Sequence, residues 1–306
     1  MTQITPPADY DPHSLSEFVE ATLILGEDDY LSATEILGFF PSGNQPTEAE
    51  IDDLLAEVTR RTNEFGLHYP FGVEYRGVTF SRNGNACLYE ALAILSLKGT
   101  LLRVERDFAR SDPIFDDIAE RAVLAHMGEG AKSLQFGWPP RGGRPIGFSD
   151  AVTWLAERLG VAVRDKDIPG NYRDDGVDIF VWKPFADGRA GFLLMAVQNT
   201  VQFDYRKKPR DVVPSHWREW LRIGTAPAVG FAVPFAMAPD DPWWHTVQTD
   251  VTMVLDRGRI LFALSREEPQ SWESWSGIVD FVATERTALG DYEDGSASIV
   301  TRRKPR

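Results

Sequence analysis

The stretch DDGVDIFVWKPFADGRAGFLLMAVQNT, residues 174–200, reads as two strands joined by a tight connection. IFVW (179–182) and FLLMAV (192–197) are apolar and β-rich, and PFADGRAG between them carries the Pro, Asp-Gly and second Gly that punctuate a hairpin. With Gly188 as the pivot, Asp178 lies as far before it as Gln198 lies after it. Folding about that pivot sets the two side chains opposite each other at the open end of the ribbon, on one face of the sheet. Gly176 allows the backbone to enter the first strand through a conformation other residues avoid. A carboxylate facing an oxygen-bearing side chain is a donor pair for Mg²⁺, which takes hard oxygen ligands and keeps places for water and phosphate. The plainer reading of the same residues is a surface hairpin with polar ends.

Outward from the hairpin, GFSDAVTWLAERLG (147–160) reads as a helix, covering 150–159, and is followed by a strand at 161–164. WREWL (217–221), a strand-like VGFAVPFAM (229–237), a Trp-rich turn DPWWH (241–245) and a strand VTMVLD (251–256) come after it. A last helix spans 272–289, and a polar, mobile tail covers 291–306. Mixed strands and helices of this kind predict an α/β (α+β) domain over 148–290, a mixed sheet flanked by helices.

The segment from Gly147 through Thr200 resembles the core of the PD-(D/E)XK restriction-endonuclease-like superfamily. It is most similar to the branch that reads helix, G-[VI]-D, hairpin, Q-x-K; the similarity continues through WREWLRIGTAPAVGFAVP to MVLDRGRILFAL and covers about half the chain. The resemblance implies Glu157 as the core-helix acid, Asp178 as the metal-binding Asp and Gln198 in place of the second acid. The position of the catalytic Lys holds Thr200, so the ammonium must come from Lys208 or Lys207, or cleavage is lost. The function implied is Mg²⁺-dependent (or Mn²⁺-dependent) hydrolysis of DNA by an effector of restriction or anti-phage defence. The rival readings are a non-cleaving scaffold built on a degenerate nuclease fold and a nuclease silent until a partner activates it.

The chain carries a net charge of −14, which opposes nucleic-acid binding. The excess acid is local: residues 1–75 hold fifteen Asp or Glu and two Arg, while the other 231 residues hold 31 acids and 30 bases. Of the two basic runs, RKKPR (206–210) and RRKPR (302–306), only the first adjoins the hairpin. It makes Arg206, Lys207, Lys208 and Arg210 the candidate phosphate contacts.

Residues 1–140 read as a mainly helical, acidic domain that docks a protein partner. Capping boxes begin three helices, at Ser14–Glu17, Ser32–Glu35 and Thr47–Glu50. A hairpin around Arg76-Gly77 follows, giving the element order of a winged helix, and then come apolar helices at 86–99 and 112–128. WPPRGGRPIG (138–147) is an exposed loop at the domain boundary. The single cysteine, Cys87, lies in an apolar helical run and reads as a structural thiol, and five scattered His give no zinc pattern. Trp243, Trp244, Trp272 and Trp275 read as core or interface residues before base-stacking ones. The polar N-terminus and the lack of a long apolar run imply a cytoplasmic protein with no membrane partner.

Overall fold

The computed structural model describes residues 4–84, 86–97, 100–101, 111–165, 167–205 and 207–290. Its elements run α1 (Pro12–Leu25), β1 (Tyr30–Ser32), α2 (Ala33–Gly38), α3 (Glu48–Glu64), β2 (Phe71–Glu74), β3 (Gly77–Phe80), α4 (Ala86–Leu97), α5 (Ser111–Met127) and β4 (Lys132–Gln135). They continue with α6 (Phe148–Leu159), β5 (Ile179–Lys183), β6 (Leu193–Asn199), α7 (Pro214–Trp220), β7 (Ala228–Ala232), α8 (Pro242–Asp250), β8 (Met253–Leu255), α9 (Arg257–Ala263) and α10 (Trp275–Gly290). This is an α/β fold with a helical N-terminal region. A mixed sheet of order β4-β5-β6-β7-β8 is antiparallel through its first three strands and parallel through its last three.

The N-terminal helices start where side chains satisfy their free amides. Ser32–Glu35 and Thr47–Glu50 form full capping boxes. Ser14 does not cap α1: Pro12 takes the first helical position and Asp11 accepts from the Ser14 amide at 3.0 Å, which frees Glu17 for another use. The hairpin turns on Tyr75 and Arg76, both with positive φ, so Gly77 opens β3 instead of sitting in the turn. β1 pairs with β3, giving a small antiparallel sheet of order β1-β3-β2 beside α1–α3.

Alternation along β5 and β6 divides the hydrophobic core in two. Ile179, Val181, Met195 and Val197 face a core shared with α1, α3, α4, α5, α9 and α10. Phe180, Trp182, Leu194 and Ala196 face a second core with α6 and α7. The first core runs without a break from the N-terminal helices onto the sheet, and β4, which precedes residue 140, is an edge strand of that sheet. The expected boundary at 140–148 therefore falls inside one packed architecture.

Buried charge joins the two halves. Arg61 of α3, wholly buried, donates to Glu17 at 2.7 Å, to Glu20 at 3.1 Å and to Glu57 at 2.8 Å. Arg257 of α9 reaches both Glu17 oxygens at 3.0 and 3.1 Å and also donates to the Tyr89 hydroxyl at 3.0 Å. Burial alone would raise the Glu17 carboxyl, but Arg257 and Arg61 outweigh it and hold it at about 2.

Several local expectations change. Residues 161–164 make only an isolated bridge, Val163 to Leu221, in place of a strand. DPWWH opens helix α8 instead of forming a turn, because Asp241 caps the Trp243 amide, and Asp256 in the same way caps α9 at the Arg259 amide. The tail 291–306, Gly99 and Arg206 lie outside the described residues.

Candidate metal centre at the end of the sheet

Backbone geometry sets Asp178. Asp175 and Gly176 have φ of 54° and 74°, and a Cβ on Gly176 would lie 2.6 Å from the Asp211 carbonyl oxygen, so the position requires glycine. The Asp178 amide then donates to the Val197 carbonyl at 2.9 Å. The Ile179–Val197 pairing that follows puts Asp178 in register with Gln198, as the symmetry about Gly188 implies. On the other side, Phe136 and Gly137 donate their amides to the Asp178 carbonyl at 2.6 and 3.0 Å. Gly137 lacks a side chain for a reason: a Cβ there would meet Asp178 Oδ1 at 2.9 Å.

A second carboxylate arrives from α5. Asp116 Oδ1 accepts from Asn199 Nδ2 at 2.8 Å, while Asp178 Oδ2 accepts from the Asn199 backbone amide at 2.8 Å. Asn199 thus bridges the two acids. Asp116 also pairs with Arg141 at 2.8 Å. Burial pushes Asp116 up to about 6, assisted by Asp112 and Asp117 and opposed by Asn199 and Arg141. Asp178 is raised well above the usual carboxylate range, first by burial and then by Asp116 and Asp174, against the Asn199 amide and Lys208. Both shifts record first the burial of a charge and only second the neighbouring acids.

Two amide oxygens complete the donor set. Gln198 is 6 % exposed; its Nε2 leans on Asp211 at 3.4 Å, and its buried Oε1 receives no hydrogen bond. Asn199 Oδ1 is likewise buried without a donor, its Nδ2 being spent on Asp116. Uncompensated buried acceptors are costly, and each is an oxygen of the kind a hard cation could satisfy. Among the described residues no group of three His, Cys, Asp or Glu is disposed to hold a metal. The oxygens are mixed, two carboxylates and two amides, of the kind Mg²⁺ or Mn²⁺ takes; Gln198 shares the sheet face of Asp178, while its strand neighbour Asn199 turns to Asp116 of α5.

The acids border a cavity of about 680 Å³ that Lys208, Thr200, Trp138 and Arg173 also line. Lys208 is half-buried in a short 3₁₀ turn (Lys208–Arg210), its Nζ 3.6 Å from Asp211. Lys207 is exposed and outside the lining, and Arg210 pairs with Asp250 at 2.9 Å. Thr200 also borders the cavity, but its hydroxyl accepts from the Gln202 amide and carries no charge.

Glu157 does not belong to the site. The buried stripe of α6 is Phe148, Ala151, Val152, Leu155, Ala156 and Leu159, which turns Glu157 out to solvent and off the cavity. Its expected place is taken by Asp116, an acid set within the apolar helix α5. The signal was present in the spacing of Asp112 and Asp116, one turn apart on one helix face. No family model, curated protein or solved structure matches the chain.

Proposed function

We propose that this chain is a metal-dependent nuclease that hydrolyses phosphodiester bonds in DNA, using Mg²⁺ or Mn²⁺. The observation that carries the reading is the meeting of Asp178 and Asp116 on Asn199, next to two buried amide oxygens that lack donors and within one cavity with Lys208. A cation held there would polarise a phosphate and lower the pKa of its water. Asp178 and Asp116 supply the charge that holds it. Gln198 and Asn199 orient around it, and the long Lys208 side chain stabilises negative charge developing on the phosphate. A role in restriction or anti-phage defence rests on the resemblance alone. The exposed acids of α3, among them Glu48, Asp52 and Asp53, suit a protein partner better than DNA, although Arg76 already pairs with two of them.

The test is cleavage of supercoiled, linear and single-stranded DNA in Mg²⁺ or Mn²⁺, with Asp178→Ala as the control. Metal-dependent cleavage that Asp178→Ala removes supports the proposal; wild-type cleavage that survives Asp178→Ala refutes it. One observation favours a nuclease that waits for a partner: the Lys208 ammonium is engaged with Asp211 instead of standing free. On that reading cleavage stays low in the isolated chain, and Asp211→Asn, which releases Lys208, raises it. Absence of cleavage under every condition, Asp211→Asn included, returns the chain to the scaffold reading.

A further inference from the structure

Trp138 is an exposed aromatic with no place in the packing. It is 41 % exposed and belongs to neither hydrophobic core, yet it lines the same cavity as Asp178. Its neighbour Gly137 is the residue whose amide is tied to the Asp178 carbonyl, so the indole stands one residue from the acid's own anchoring point. Arg173 lies over the ring at 5.9 Å, itself exposed on the cavity wall. The backbone of Arg173 is held from below. Buried Arg144 donates to the Arg173 carbonyl and to the Pro145 carbonyl and stacks on Phe136 at 4.3 Å, tying loop 138–147 to the loop before β5. Tyr172, by contrast, is spent on packing against Phe148 and Trp220. The outcome is an exposed indole with a cation above its face, beside a candidate phosphate site.

The charges around the cavity limit what can use that shelf. Arg141, Arg173 and Lys208 are its cations, set against a larger number of carboxylates. Three cations suit one or two phosphates, not the long row that a duplex presents. An unpaired base offers a free π-face to an indole, whereas a paired one must first leave its stack at a cost of a few kcal/mol.

We infer that Trp138 and Arg173 form a base-stacking subsite for an unpaired nucleotide next to the scissile phosphate, which makes single-stranded DNA the substrate class. The inference rests on the nuclease reading of Asp178 and Asp116. Trp138 acts in binding, and the carboxylates outnumber the cations, so strand binding requires a divalent cation.

The test measures binding of a fluorescent single-stranded dodecanucleotide, and of the same sequence as a duplex, to the full chain in Ca²⁺ and in EDTA. Thermal shift with Mn²⁺ serves as a second readout. Expected are preference for the single strand, dependence on Ca²⁺, and a loss of roughly five- to a hundred-fold in Trp138→Ala, from the usual strength of base–aromatic stacking. Trp138→Phe restores most of the loss, and the Mn²⁺ shift of Trp138→Ala equals that of wild type. Single-strand binding unchanged in Trp138→Ala, or duplex bound as tightly as single strand, overturns the stacking subsite and leaves the metal centre standing. Absence of binding to either DNA, with no Mn²⁺ shift in wild type, overturns the nuclease reading and the subsite with it.

Discussion

Replacing Asp116 by Asn should stabilise the metal-free protein while destroying its response to metal. The carboxyl is held at about 6, against an ordinary value near 3.8, because burial and the neighbouring acids disfavour its charge. Above pH 6 the folded state must carry that unfavourable charge. Linkage sets the cost at about 1.4 kcal/mol per pKa unit, or about 3 kcal/mol in all. The side chain is 24 % exposed, so solvent screening brings the expected gain to roughly 1–3 kcal/mol. The sign follows from the raised pKa. Below pH 3.8 both forms are neutral and the variant gains nothing; the gain grows through the interval and is complete above pH 6. Asn keeps the shape of the protonated acid, so the packing of α5 should survive. For a chain of this size the gain corresponds to a melting point about 2–6 °C higher at pH 7.5, measured by thermal unfolding in EDTA. Adding Mn²⁺ should raise the wild-type melting point and leave the variant unchanged. A variant that melts below wild type at pH 7.5, or an advantage that persists undiminished at pH 4, would refute the electrostatic account.

Lys208→Ala should lower metal-dependent cleavage by at least about a hundred-fold, the usual loss on removing one charge-stabilising group. Lys207→Ala, outside the cavity, should retain activity in the same assay. Glu17→Gln should cost about 3–5 kcal/mol in urea unfolding at pH 7, since it takes the carboxylate from buried Arg257, while Arg61 keeps Glu20 and Glu57. Glu17 is depressed to about 2, so its contribution is full above the ordinary value of 4.5 and disappears as pH falls through 2; the gap between variant and wild type should close over that range. The Cys87 thiol is pushed up to about 12, by burial first and then by Glu90. It should resist alkylation at pH 8 in the native chain and react at once in denaturant; rapid labelling of the folded protein would contradict this.

What could be read in advance was local. The hairpin register followed from turn residues placed symmetrically about Gly188, and Asp178 meets Gln198 for that reason. Gly176 was legible because few residues other than glycine enter a strand at φ 74°. What could not be read depends on distant chain. KSLQ at β4 has little strand character and becomes a strand because the edge of β5 offers it partners. The resemblance implies Glu157, on the helix preceding Asp178 in sequence, whereas the helix that reaches the strand end in space is α5, some sixty residues upstream. Asn199 was hidden behind Gln198, since spacing names the residue opposite Asp178 but not the one whose amide reaches it. Asp11 and Pro12 displaced Ser14 as the start of α1, a competition between two valid caps that only packing decides.

The pairing of Glu17 with Arg61 and Arg257 bears on how this protein could be taken apart. Arg257 lies 240 residues from its carboxylate partner along the chain, and its guanidinium is shut away from water. A fragment ending after the loop at 138–147 would keep Arg61 and Glu17, lose Arg257, and expose the side of α5 that the sheet covers and the side of α4 that α10 covers. The complementary fragment would carry an orphaned guanidinium into solvent-excluded surroundings and lack the helix that delivers Asp116. Neither half is therefore a portable module. Moving the five-stranded sheet into another protein would fail unless α1 and α5 travel with it, so the two ends of this chain are bound to change together.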